Sequence, residues 1–136
     1  NEMDCVKDIF EIISGFAAVV AIVISLWTYS HGIERERKAD TIRKLSEIRN
    51  TYFNTKGLGN KDKLKYLNEL EFFTIGIKEN IYDINIASKM SGSRLIGQYD
   101  SWAAELIKER RKDKKHSTAY CEYEKMIKDL KDLKNK

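Results

Sequence analysis

The distribution of apolar residues along the chain is uneven. One run dominates: from Ile12 to Ile33 there are 22 residues without a formal charge, with Phe16–Trp27 as its most apolar part. About 20 helical residues span the hydrocarbon core of a bilayer, so this run predicts a transmembrane helix. Trp27 and Tyr29 stand near one end, where an interfacial aromatic belt belongs. Beyond it, the apolar positions fall to helical spacing. Ile42, Leu45, Ile48 and Tyr52 predict a stalk helix over Ile33–Phe53. Asn54–Asn60 reads as a loop. Leu64, Leu67, Leu70, Phe73 and Ile77 predict a helix over Asp62–Glu79. Asn80–Asp83 reads as a turn, with Asp83 capping a helix that runs to Met90. Ser91-Gly92-Ser93 then predicts a weak point, followed by a helix over Leu95–Lys112 that carries Trp102, Leu106 and Ile107. Ser117 or Thr118 is the expected cap of a last helix with Tyr120, Tyr123, Ile127, Leu130 and Leu133. No stretch alternates with period two. The expected fold is all-α, an N-terminal transmembrane helix (1–33) continuing into a cytoplasmic helical bundle (34–136).

Composition sharpens this pattern. The 136 residues include no proline, where about seven would be usual. Proline breaks helices, so its absence is compatible with one unbroken rod from Asp4 to Phe53. The negative mean hydropathy averages two unlike pieces. Residues 1–33 sum to a charge of −3 and residues 34–136 to +7. A secretion signal has a basic start, whereas the first eleven residues hold Glu2, Asp4, Asp8 and Glu11 against Lys7 alone. Arg35, Arg37, Lys38, Arg43 and Lys44 follow the apolar run. The positive-inside bias therefore predicts a single-pass protein with its N-terminus outside and its C-terminal domain cytoplasmic.

One face of the apolar helix is distinctive. Glu11, Ser14, Ala18, Ala21, Ser25, Thr28 and Gly32 recur at alternating spacings of three and four. Small residues let membrane helices approach closely, and Ser and Thr can hydrogen-bond across the contact. This face predicts self-association, either as a close-packed bundle or as a ring around a narrow pore. Cys5 and Cys121 fall on opposite sides of the membrane in this topology and cannot pair within one chain, and no metal-ligand spacing exists. His31 reads as an interfacial residue. Glu69 and Glu71 point about 200° apart on a helix and do not form a catalytic carboxylate pair. One of them is expected to be solvated and the other partly buried.

The stretch Glu69–Lys78, then Ile81-Tyr82-Asp83, then Leu95 to Trp102 and Ile107 to Arg111 resembles a family of small bacterial and phage proteins of unassigned function. Its members join an N-terminal membrane helix to a helical domain containing E-F-x-x-I-G-I-(R/K)…(I/Y)-x-D, and the match covers about residues 66–127. The architecture also resembles the small membrane-anchored accessory proteins of type VI-B CRISPR systems, which carry a divergent HEPN-like domain. That resemblance implies antiphage defence, self-assembly in the membrane, pore formation and an RNA-guided nuclease as partner.

Within it lies Arg111-Lys-Asp-Lys-Lys-His116, an R-x4-H pair of the kind HEPN ribonucleases carry. The chemistry is apt. Histidine moves protons near neutral pH, and arginine can neutralise charge building on a phosphate. Lys108, Arg110, Arg111, Lys112, Lys114 and Lys115 make this segment basic throughout, so an arginine at that distance from a histidine is also what composition alone gives. A solvated basic face suits phosphates of anionic lipid or RNA equally. No P-loop, nucleophile elbow, metal-binding histidine pair or dinucleotide fingerprint is present, and neither a cofactor nor a small-molecule substrate is indicated. The readings in order are a self-assembling membrane effector of antiphage defence, a membrane-tethered HEPN-type ribonuclease using Arg111 and His116, and a non-enzymatic adaptor.

Overall fold

The computed structural model describes residues 1–53 and 57–136. Among them it is 86 % helical with no strand. The elements are α1 (Glu2–Thr51), α2 (Asn60–Lys78), α3 (Ile84–Gln98), a π-helical segment (Tyr99–Ala103), α4 (Ala104–Arg111), a 3₁₀ turn (Lys114–His116) and α5 (Cys121–Lys134). The chain divides into two compact units, Asn1–Glu36 and Arg37–Lys136. α1 contributes to both, and its first buried residue is Thr41.

The first unit has no buried residue. The second holds the core. Leu45 and Ile48 of α1, Leu67, Leu70 and Phe73 of α2, Leu95 of α3, Ile107 of α4, and Tyr123, Met126, Ile127 and Leu130 of α5 form one cluster. These are the positions at which helical spacing places apolar residues on one face. Thr41 is buried as well, and its hydroxyl is used twice. It donates to the Arg37 carbonyl at 2.7 Å and accepts from the Asp83 amide at 2.8 Å. It thereby fastens the α2–α3 turn to α1.

That turn explains several residues of the Glu71–Asp83 stretch. Asn80 adopts a left-handed backbone with φ 61°, a conformation asparagine tolerates better than most residues. The Ile81 amide returns to the Gly76 carbonyl at 2.8 Å and the Asn80 amide to the Ile77 carbonyl at 3.1 Å. This is the Schellman pattern, which satisfies the last carbonyls of α2. Asp83 then caps α3, accepting from the Asn85 amide at 2.8 Å and the Ile86 amide at 3.4 Å. Gly76 is small because Tyr82 lies over it, stacked on Phe73 at 4.8 Å. A Cβ at position 76 would sit 2.4 Å from Tyr82 Cδ2. We expect Gly76→Ala to lower the stability of this unit by about 1–2 kcal/mol, read as a lower urea midpoint from Trp102 fluorescence.

Three boundaries differ from the sequence reading. Ser91-Gly92-Ser93 does not interrupt α3. Gly92 is buried, and a Cβ there would stand 3.3 Å from Ser88 Oγ, a tight contact. The irregularity lies at Tyr99–Ala103, where the Ala104 amide reaches back five residues to the Tyr99 carbonyl. Neither Ser117 nor Thr118 caps α5. The chain enters it through Tyr120, left-handed at φ 63°. The cap comes from far away in sequence: the Glu71 carboxylate of α2 accepts the Tyr123 amide at 2.7 Å and the Glu122 amide at 3.3 Å. Glu69 and Glu71 are both half-buried, and Glu69 pairs with Lys44 at 3.7 Å. The expected loop at Asn54–Asn60 lies partly outside the described residues.

Tyr123 is fully buried, and its hydroxyl has no hydrogen-bond partner among the described residues. An unmet buried hydroxyl carries its full desolvation cost. Burial also pushes the Tyr123 phenol well above its ordinary value. Tyr123→Phe should therefore raise thermal stability, by about 1 kcal/mol, in a calorimetric comparison.

Candidate functional site

The first candidate is the exposed part of α1. Sixteen large apolar side chains between Met3 and Ile33 are exposed, Phe16 by 72 % and Trp27 by 64 %. The helix is long and apolar enough to cross a membrane. Glu11, Ser14, Ala18, Ala21, Ser25, Thr28 and Gly32 all lie on it and all are exposed. At 100° per residue, Ala18, Ala21, Ser25 and Thr28 fall within about 80° of one another, with Val23 on the opposite side. Trp27 and His31, one turn apart, meet edge to face at 4.3 Å. Cys5 is a free, exposed thiol and Cys121 a free, half-buried one.

The second candidate is the connector between α4 and α5. Arg111, the last residue of α4, does not stand free. Its Nε and Nη2 donate to the Ala119 carbonyl at 3.1 Å and 2.8 Å, Nη2 approaches Cys121 Sγ at 3.8 Å, and the guanidinium forms an ion pair with Glu124. The other oxygen of Glu124 accepts the Tyr99 hydroxyl at 2.7 Å. Arg111 thus ties α4 to the start of α5 and holds the residue just before the left-handed Tyr120. The Nε and Nη2 of this arginine are thus engaged within the fold. His116 ends the 3₁₀ turn and is half-buried. Its backbone amide donates to the Asp113 carbonyl at 2.9 Å and its carbonyl accepts the Ala119 amide at 3.0 Å.

The remaining basic residues divide in two. Lys112 pairs with Glu109 at 2.8 Å. Lys108, Arg110, Lys114 and Lys115 are exposed and form no ion pair among the described residues. Asp113 caps the 3₁₀ turn by accepting the Lys115 amide at 3.1 Å. Among the described residues no group of three or more His, Cys, Asp or Glu could hold a metal.

Tyr99 carries a consequence for pH. Donation to Glu124, then burial and the Glu124 charge, push its phenol from 10.0 up to about 12. A raised pKa means that the folded state holds the proton more tightly. This contribution to stability is complete below pH 10.0 and disappears as pH rises through about 12. The unfolding midpoint should fall across that window, and Tyr99→Phe should flatten the fall.

Sequence reasoning missed Glu71, Tyr99 and Glu124. Glu71 takes its role from the start of α5, which lies 51 residues away in sequence.

A family model described as a domain of unknown function matches residues 15–130. The match begins inside the uncharged run, so most of the apolar helix is part of the family's domain. No curated protein and no solved structure matches the chain. The chain belongs to the family of domains of unknown function DUF4760.

Proposed function

We propose that this chain is a single-span protein of the bacterial inner membrane, with its N-terminus outside and residues 37–136 in the cytoplasm. It self-assembles through the face made by Ser14, Ala18, Ala21, Ser25 and Thr28. The observation that carries this reading is the uncovered helix, with sixteen large apolar side chains exposed between Met3 and Ile33. Full burial of one such side chain contributes about 1.5–3 kcal/mol, so leaving them all in water forgoes tens of kcal/mol. That exceeds the roughly 5–15 kcal/mol of net stability a domain has. Lipid covers the large residues. The small and hydroxylated face is better matched by another helix than by acyl chains, because close approach and interhelical hydrogen bonds are the available driving forces there.

On the resemblance to the type VI-B accessory proteins, we assign the assembly a role in antiphage defence, in which the gathered helices form a pore that dissipates the membrane potential. The C-terminal helical unit is the divergent HEPN-like part of that reading. A HEPN-type ribonuclease using Arg111 and His116 draws less support, because the Arg111 guanidinium is already engaged by Ala119 and Glu124.

The test is made on the full chain in bacterial membranes. Chemical cross-linking should give a ladder above the monomer. A membrane-impermeant maleimide should label Cys5 from outside and reach Cys121 only after permeabilisation. A monomer alone, or the reverse labelling, contradicts the proposal.

A further inference from the structure

A small cavity, partly open to solvent, lies among α1, α2 and α3 in the second unit. Leu45, Ile48, Leu70 and Leu95 make its apolar lining, and all four are buried. Its polar lining is Arg49 near the end of α1, Tyr66 of α2, and Ser91 and Arg94 of α3. Helical periodicity agrees with this placement. Leu45, Ile48 and Arg49 fall within about 100° of one another on α1, and Ser91, Arg94 and Leu95 within about 100° on α3. Each arginine thus stands at the edge of its helix's buried face. Arg94 is half-buried and Arg49 is exposed.

Among the described residues, neither guanidinium forms an ion pair or a hydrogen bond, and the Ser91 hydroxyl forms none. The Tyr66 hydroxyl donates to Gln98 Oε1. No Asp or Glu lines the cavity. Two positive charges therefore line one space without a countercharge. The cavity measures about 10 Å³, enough for one water molecule. Water accepts hydrogen bonds but carries no charge to offset the guanidinia. An anion supplies both acceptors and charge.

We propose that Arg49, Arg94 and Ser91 form a binding site for a phosphate dianion, either free phosphate or the terminal phosphoryl group of a small phosphomonoester. The donor set selects this chemistry. A guanidinium is a planar fork of N–H donors with no acceptor, which matches phosphate and carboxylate oxygens. Two forks and a hydroxyl exceed what the two oxygens of a carboxylate accept, whereas a terminal phosphoryl group offers three oxygens and up to two charges. The cavity admits one oxygen-sized group, so one phosphoryl oxygen enters it and the others stay with the guanidinia. A phosphodiester, with one charge and two free oxygens, fills the site less well. Every residue of the site belongs to the second unit, so binding does not depend on insertion of α1.

The experiment titrates the full chain, in uncharged detergent and phosphate-free buffer, into inorganic phosphate, methyl phosphate or dimethyl phosphate and follows phosphorus NMR line broadening. At least one of the two dianions should bind saturably and raise the melting temperature. Tighter methyl phosphate identifies an ester as the ligand, and tighter inorganic phosphate identifies the free ion. Dimethyl phosphate should bind about tenfold more weakly or worse. Binding should weaken as pH falls through about 6, where the dianion takes up a proton. Arg49→Gln and Arg94→Gln should each weaken binding about tenfold, while Lys108→Gln, outside the cavity, leaves it unchanged. Arg94→Lys keeps the charge and loses the fork. It should weaken binding severalfold without lowering the melting temperature in phosphate-free buffer, and it decides the matter if a glutamine variant fails to fold. The proposal is overturned by a chain that binds neither dianion, by arginine variants with wild-type affinity, by dimethyl phosphate binding as tightly as the dianions, or by an equal loss in Lys108→Gln.

Discussion

Ala21→Leu and Ser25→Leu should each collapse the cross-linked ladder of the full chain to monomer, while Val23→Leu leaves it intact. All three changes keep the helix apolar and long enough to insert, so insertion is the shared control. They differ in where the added volume goes. Ala21 and Ser25 lie on the small-residue face, and Val23 lies about 180° away from its centre. Between membrane helices no hydrophobic force compensates for lost contact, because lipid is as apolar as leucine. Association therefore depends on how closely two backbones approach, and an isobutyl group at position 21 or 25 holds them apart. The loss expected is about 2 kcal/mol per contact, roughly thirtyfold in the association constant. Ser25→Leu also removes a hydroxyl able to bond across the interface. An unchanged ladder in both variants would place the contact on another face.

The second large effect concerns Arg111. Arg111→Ala should destabilise the C-terminal unit by about 3 kcal/mol, which for a unit of this size lowers the melting temperature by 10 °C or more, on the order of 4 °C or above per kcal/mol. The substitution leaves the Ala119 carbonyl without its two donors and Glu124 without its countercharge. It also loosens the approach to Tyr120, a bulky residue in a left-handed conformation. Arg111→Lys should recover only part of the loss, because an ammonium cannot present the planar fork that serves Ala119 and Glu124 together. His116→Ala, by contrast, removes a half-buried side chain at the end of a 3₁₀ turn and should shift the melting temperature little. The contrast separates roles. If both residues served phosphodiester cleavage, both variants would lose RNA cleavage by the folded protein. If Arg111 serves the fold, its variant loses stability first and His116→Ala changes neither.

The helices were readable because helical periodicity is local. Leu64 through Ile77 and Tyr123 through Leu130 mark their own buried faces, and Asp83 announces the start of α3 by a side chain two residues from the amide it caps. The misreadings occur where a distant partner overrides a local signal. Ser91-Gly92-Ser93 has the composition of a break, yet Gly92 is buried within a continuous helix, where a Cβ would be in tight contact with Ser88 Oγ. Ser117 and Thr118 are ordinary caps by composition, but α5 takes its cap from Glu71 on α2. The partners of Arg111 lay equally beyond local sequence: only the fold brings Ala119 and Glu124 to it, with Tyr99 on the other oxygen of Glu124. The exposed apolar helix was legible from composition alone, since no tertiary partner is needed to recognise an uncharged run of that length.

The account stands most directly on the mass of the particle that the full chain forms. Measured by light scattering in mild detergent, with the detergent contribution subtracted, the protein mass should be two or more times 15.9 kDa, in whole multiples, and Ala21→Leu should reduce it to a single copy. A wild-type particle of one 15.9 kDa chain at every protein concentration would contradict it.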